Sequence, residues 1–167
     1  IPHPRDTARE SSRNAPWHCP GRPRRTTDPN GAVFESVYDG LDRVTKETQP
    51  DLIAPSILVA KTEYEYTFLP VGLKIKKTGY LDATNSAVSY TYTDGLGRLI
   101  QTRTEAEDAN TFAVTDVAYN TIDLIQKDSL PYFGVGSDKT APAVASELYS
   151  TYAYDPLRRV ASVTTAA

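Results

Sequence analysis

The chain has 167 residues, 40 % of them apolar, a formal net charge of −3 and a single cysteine, Cys19; this suits one domain or a slice of something larger and excludes an internal disulfide framework. No run of eighteen apolar residues occurs, so no segment reads as a membrane-spanning helix, and no basic-then-apolar signal segment opens the chain. Residues 1–27 hold six Arg and two acids, whereas the remaining 140 hold 12 basic and 19 acidic side chains, a balance of −7 that argues against wrapping nucleic acid.

Taken from the start, residues 1–27 stand apart. Five of the twelve prolines, both histidines, the only Trp and Cys19 fall here, and no Tyr does. Such a stretch buries too little apolar surface to offset chain entropy and is expected to be disordered or non-native. A linker, an out-of-frame stretch and a fragment end all fit this composition. The opening Ile, where a Met would start a whole protein, fits a piece of a longer polypeptide.

From Asp28 onward Tyr, Thr and Val alternate with polar residues, which is strand composition. The one helix candidate is 141–149, with Pro142 at its first turn. Five units follow each other, with anchors at Tyr38, Tyr66, Tyr92, Tyr119 and Tyr154. Tyr38 leads into Asp39-Gly40-Leu41-Asp42-Arg43. Tyr92 leads, after Thr93, into Asp94-Gly95-Leu96-Gly97-Arg98. Tyr154 leads into Asp155-Pro156-Leu157-Arg158-Arg159, and weaker copies follow Tyr66 and Tyr119. Anchor gaps of 28, 26 and 27 residues, then 35, mark a repeat architecture with an insertion around 134–148.

Each unit reads as a β-hairpin. Residues two apart share a strand face, so Tyr64/Tyr66, Tyr90/Tyr92 and Tyr152/Tyr154 each point one way. Asp or Asn at the turn start bonds backbone amides, Gly or Pro favours the bend, and Gly or Asp suits a left-handed last position. Thr27–Asn30, Gly31 and 106–110 supply the reversals between units. The expected fold is all-β: repeated hairpins in a curved or spiralling antiparallel sheet, with neighbours sharing strands because one hairpin alone is marginal.

The runs "YDGLDRVTKETQPD", "YTYTDGLGRLIQTRT" and "YAYDPLRRVASVTTA" resemble Rhs repeats, also called YD repeats. Together with "SLPYF" at 129–133 they are similar to the Rhs-containing B component of bacterial insecticidal toxin complexes. The resemblance covers residues 28–167. It implies a long spiralling sheet that closes into a hollow shell around a C-terminal toxin polypeptide, in a secreted or cell-surface bacterial protein. The partners it implies are neighbouring repeats, the encapsulated toxin domain and other toxin-complex subunits. The chain departs from the pattern where Thr93 separates Tyr92 from Asp94 and where Asp42, Asp123 and Arg158 replace Gly. The aspartate-bearing block that closes such shells is not visible here, so no catalytic residue carries over.

The same residues admit other readings. Asp39, Asp94 and Asp155 recur once per unit at turn starts, which favours backbone capping over metal ligation. The acids at 105–108 lack the Gly-driven turn of a calcium loop. Arg43, Arg98 and Arg159 are placed to stack on a neighbouring Tyr or to pair with a turn aspartate. His18 and Cys19, with His3 nearby, fall short of a zinc set. The tyrosine rows serve packing in the leading reading and stack on glycans in its rival, an extracellular carbohydrate-binding or adhesion module. The expectation is a non-enzymatic segment with no cofactor and no metal, whose motif residues Tyr38, Asp39, Gly40, Arg43, Tyr90, Tyr92, Asp94, Gly95, Gly97, Arg98, Tyr152, Tyr154, Asp155 and Arg159 build the repeat.

Overall fold

The structure, a computed structural model, describes residues 22–141 and 148–165. In chain order the strands are β1 (Arg25–Thr27), β2 (Val33–Tyr38), β3 (Val44–Pro50), β4 (Leu58–Phe68), β5 (Leu73–Tyr80), β6 (Ser86–Thr93), β7 (Leu99–Glu105), β8 (Thr111–Tyr119), β9 (Ile125–Ser129), β10 (Tyr132–Val135), β11 (Tyr149–Tyr154) and β12 (Val160–Thr164). They form one twelve-stranded sheet in the order β1-β2-β3-β4-β5-β6-β7-β8-β9-β11-β12, with β10 also on β8. Every described pairing is antiparallel and the sheet does not close on itself.

The ordered sheet starts three residues before the expected boundary at Asp28, because β1 pairs with β2 through Arg25↔Glu35 and Thr27↔Val33. Residues 1–21, with His3, His18 and Cys19, lie outside the described part, as does most of the helix candidate at 141–149. Tyr149, at its end, begins strand β11.

One turn recurs five times. Asp28, Asp39, Asp94, Asn120 and Asp155 each accept, through a side-chain oxygen, the amide hydrogens two and four residues on, at 2.8–3.0 Å. The residue three places on is left-handed: Gly31 (φ 84°), Asp42 (65°), Gly97 (79°), Asp123 (65°) and Arg158 (64°). Gly40 and Gly95 sit at the second turn position, where Pro29 and Pro156 serve equally well. Asp tolerates the left-handed region better than most residues, which explains the departures at Asp42 and Asp123. Arg158 is the exception that this chemistry does not favour. The β4–β5 turn differs: it lacks the Asx cap and uses Gly72 (φ 93°), where an added Cβ would lie 1.9 Å from the Thr93 carbonyl oxygen.

Residues facing each other across antiparallel strands share a face. Tyr66 pairs with Ile75, and Ile75 with Thr91; Tyr92 pairs with Lys74 and Gln101. Tyr66 and Tyr92 therefore lie on opposite faces. The same ladders place Tyr38, Tyr64, Tyr119, Tyr152 and Tyr154 with Tyr66, and Tyr90 with Tyr92. A register shift marks the strand residue just before each Asx-headed turn closing β2–β3, β6–β7, β8–β9 and β11–β12, at Tyr38, Thr93, Tyr119 and Tyr154. Thr93, not Tyr92, thus occupies the place of Tyr38. One extra residue turns the tyrosine pair over, since side chains alternate with a period of two.

Strands β9 and β10 run as one broken strand along β8, interrupted at Leu130 and Pro131. The sum of partner numbers changes by one across the break (Val117↔Asp128, then Val114↔Tyr132). Pro131 has no amide hydrogen for a ladder, and a break is where a sheet accommodates it.

Candidate functional site

On the face shared by most tyrosines the units interlock. The Arg43 guanidinium lies 4.1 Å from the Tyr66 ring centroid and the Arg98 guanidinium 4.4 Å from that of Tyr119. Both pair with their own turn carboxylates, Arg43 with Asp39 at 2.6 Å and Arg98 with Asp94 at 2.7 Å, and Arg98 also reaches Asp123 of the next hairpin. Arg159 holds Asp155 at 2.7 Å. Tyrosine hydroxyls donate backwards to the preceding hairpin: Tyr38 to the Pro23 carbonyl, Tyr66 to Val44 and Tyr154 to Ile125, at 2.7–3.1 Å.

Backbone amides from Arg43 and Leu41 and the Arg43 side chain hold the Asp39 carboxyl below its ordinary range. At Asp94 burial works the other way, and Arg98 with the turn amides outweighs it to the same effect. These carboxylates keep their charge at neutral pH and stay acceptors for the turn. Turn, guanidinium and ring thus form one coupler between successive units.

The opposite face of β5–β8 carries a second arrangement. After β10 the chain crosses this face as a strap, residues 136–140. Gly136 donates to the Asn110 carbonyl. The Arg103 guanidinium donates to the carbonyls of Val135 and Gly136 and, at 2.7 Å, to Thr140 Oγ1. The Tyr92 hydroxyl donates to the Ser137 carbonyl. Lys74 Nζ lies 2.9 Å from Asp138 Oδ1, and Gln101 exchanges bonds with the amide and carbonyl of Thr140 at 3.3 Å.

Beneath the strap sits the only fully buried cation among the described residues, Arg103 at 0 % exposure. Its Nε donates to Gln101 Oε1 at 3.1 Å, and Gln101 Nε2 donates to Asp116 Oδ1 at 2.7 Å. Asp116 Oδ2 accepts from Tyr132 at 2.7 Å and from Tyr149 at 3.4 Å. A glutamine therefore links a buried base to a buried acid, and Gln101, Arg103 and Asp116 are each hydrogen-bonded within this network, as burial demands. Burial raises the Tyr92 and Tyr149 hydroxyls above the ordinary tyrosine range. Burial opposes the Lys74 charge, and Asp138 and Tyr92 together outweigh it, so the ammonium stays above its ordinary value. Gly134 passes close to the network: a Cβ there would lie 3.0 Å from Val114 and 3.6 Å from Arg103.

The repeat motif alone points to none of Gln101, Arg103, Asp116, Tyr132 or Tyr149. The signal available in the sequence was the long last gap, because the insertion at 134–148 contains the strap. The tyrosine pair 90/92 was visible, but its face was not. Among the described residues no His, Cys, Asp and Glu side chains gather in threes as a metal site requires, and no helix is long and apolar enough to cross a membrane.

An open antiparallel sheet of Asx-turn hairpins, coupled through arginine and tyrosine, defines a structural repeat protein, and the RHS Repeat model matches residues 21–51. The chain belongs to the family described as Domain of unknown function (DUF6443), whose model matches residues 65–165 and so takes in the strap and its buried network. A search of the curated proteins found no match. Rhs-repeat proteins are typically extracellular or at the cell surface, and the repeat is a structural one.

Proposed function

We propose that this chain is a non-enzymatic stretch of wall in an Rhs-type shell, which shelters a C-terminal toxin polypeptide in a secreted bacterial protein. The observation that carries the reading is the nearest-neighbour order of the sheet, with each hairpin coupled to the next and the outer edges of β1 and β12 unpaired among the described residues. Such an assembly extends by adding hairpins, and closing it satisfies the edge groups that an isolated stretch leaves open. Further support comes from Arg159, which holds its turn carboxylate as Arg43 and Arg98 hold theirs. The repeat body runs from the β1–β2 hairpin onward.

The rival reading, glycan stacking on the tyrosine row, meets an obstacle in the guanidiniums that already occupy one face of the Tyr66 and Tyr119 rings. The test is protease protection in the parent polypeptide. The shell reading expects a C-terminal segment that resists digestion while the wall is intact and is lost when the wall is unfolded. Equal digestion in both states overturns it, and a glycan-array signal lost in Tyr64→Ala favours the adhesion module.

A further inference from the structure

Among the described residues two basic side chains adjoin in sequence three times, at Arg24-Arg25, Lys76-Lys77 and Arg158-Arg159. The fold treats these pairs differently. Lys76 and Lys77 lie in β5, paired on one side with β4 and on the other with β6. Arg158 and Arg159 close the β11–β12 turn, where Arg158 is left-handed and Arg159 holds Asp155 at 2.7 Å. Only Arg24-Arg25 meets an outer edge of the sheet: Arg25 begins β1, and residues 22–27 are all exposed.

The backbone there is open. The Ser36 amide donates to the Arg24 carbonyl at 2.9 Å, so the next pair, Arg25↔Glu35, is one that exchanges no hydrogen bonds. The Arg25 amide and carbonyl therefore point away from β2, towards the open edge. A protease cleft takes its substrate as an added strand, and such an edge admits one. Little holds this stretch down. Arg22 lies 3.1 Å from Asp42 and Arg25 3.7 Å from Glu35, both pairs near solvent, and Tyr38 donates to the Pro23 carbonyl. Exposed ion pairs add little, and a three-residue strand opens readily.

Counted back from the Arg25–Thr26 bond, arginine fills the first, second and fourth places as Arg25, Arg24 and Arg22. A trypsin-type enzyme reads only the residue before the bond, through one carboxylate-lined pocket. The fourth place matters to an endoprotease with acidic subsites for all three. Arginines on an edge strand also discourage strand pairing, a role that does not depend on their order. The bond divides two charge regimes as well. Residues 1–25 hold six Arg and two acids, a balance of +4, and residues 26–167 hold 12 basic and 19 acidic side chains, a balance of −7.

We infer that the Arg25–Thr26 bond is a processing site for a serine endoprotease that reads paired arginines. The protease serine attacks the Arg25 carbonyl carbon, the bond to the Thr26 nitrogen breaks, and the freed amine takes a proton from the protease histidine. Water then hydrolyses the acyl ester, which leaves a carboxylate on Arg25 and restores the serine; nothing is oxidised or reduced. The products are a basic peptide ending at Arg25 and an acidic repeat body beginning at Thr26. The inference does not rest on the shell reading. The extracellular setting typical of Rhs-repeat proteins fits an encounter with a secreted protease.

The test treats the full chain with a subtilisin-type endoprotease that prefers arginine at the first and fourth places, and follows the products by N-terminal sequencing and intact mass. The first product is expected to begin at Thr26, with Lys76-Lys77 and Arg158-Arg159 still intact, and to form within about tenfold of the rate on a synthetic peptide of residues 20–31. Arg25→Gln is expected to abolish it. Arg22→Gln separates recognition from anchoring. An arginine that only anchors the strand to Asp42 gives faster cleavage when it is removed, whereas a recognised one gives cleavage slower by about tenfold, with trypsin cleavage at the same bond not slowed. A first cut elsewhere, a rate further below that of the peptide, or an Arg22→Gln chain cut as fast or faster overturns the inference.

Discussion

Tyr66 and Tyr92 hold the same place in the Tyr-x-Tyr pattern and do opposite jobs. Tyr66 lies under the Arg43 guanidinium and donates to Val44 of the preceding hairpin; it joins one unit to the next. Tyr92 faces the other way, is 1 % exposed, and donates to Ser137 of the strap; it joins the sheet to a covering segment. The difference is one of parity: Thr93 alone stands between Tyr92 and its turn, whereas two residues, Thr67 and Phe68, stand between Tyr66 and its turn and leave it on the other face. A repeat can therefore gain a second layer without changing its hairpins, because one added residue delivers a whole set of side chains to the other face.

Deleting Thr93 is the most direct way to break the comparison. It restores the Tyr-Asp spacing of the other hairpins and turns β6 over, taking Tyr92 off the strap. A loss of about 4 kcal/mol or more is expected, comparable to truncating a buried aromatic, read from the urea midpoint and from new trypsin cleavage at Lys139 in the strap. An unchanged strap would mean that register does not govern it.

Arg103→Ala leaves the register alone and removes the buried anchor. It leaves Gln101 and the carbonyls of Val135 and Gly136 short of a donor, so about 3 kcal/mol and the same cleavage at Lys139 are expected. Arg43→Ala, the matching change on the coupling face, loses an ion pair and a ring contact near solvent and is expected to cost only about 1 kcal/mol, with no new strap cleavage.

Two glycines sharpen the contrast between turn types. Gly72→Ala drives a methyl into the Thr93 carbonyl as well as requiring a left-handed Ala, so a loss above about 2 kcal/mol is expected. Gly97→Ala, where an added Cβ meets nothing within 4 Å, is expected to cost about 1 kcal/mol for its backbone alone. Equal losses at the two sites would show that crowding at Gly72 carries no weight.

The smallest effect is the acid response of the coupling turns. Asp39, Asp94 and Asp155 titrate below the ordinary range, so their contribution is fully present above the unfolded-chain value of about 4 and is lost as pH falls through the lowered folded values. Asp39→Asn keeps the turn, as Asn120 does naturally, and is expected to flatten that part of the stability–pH curve. An unaltered acid slope would place the response elsewhere.

The sequence by itself determined the local units. Asp or Asn at the turn start, Gly or Asp at the left-handed place, and alternating strands between them act over a few residues, so the hairpins, their order and the repeat period could all be read in advance. It also placed Arg43 and Arg98 within reach of a turn carboxylate and a neighbouring ring. Only the tertiary structure decided which face each tyrosine joined, because that depends on a register set at the turn and shared across strands distant in sequence. It alone joined Gln101, Arg103 and Asp116 to Tyr132, Tyr149 and a strap more than thirty residues from Arg103. No local propensity encodes that meeting; it follows from β7 and β8 lying side by side, and from the strap turning back over them.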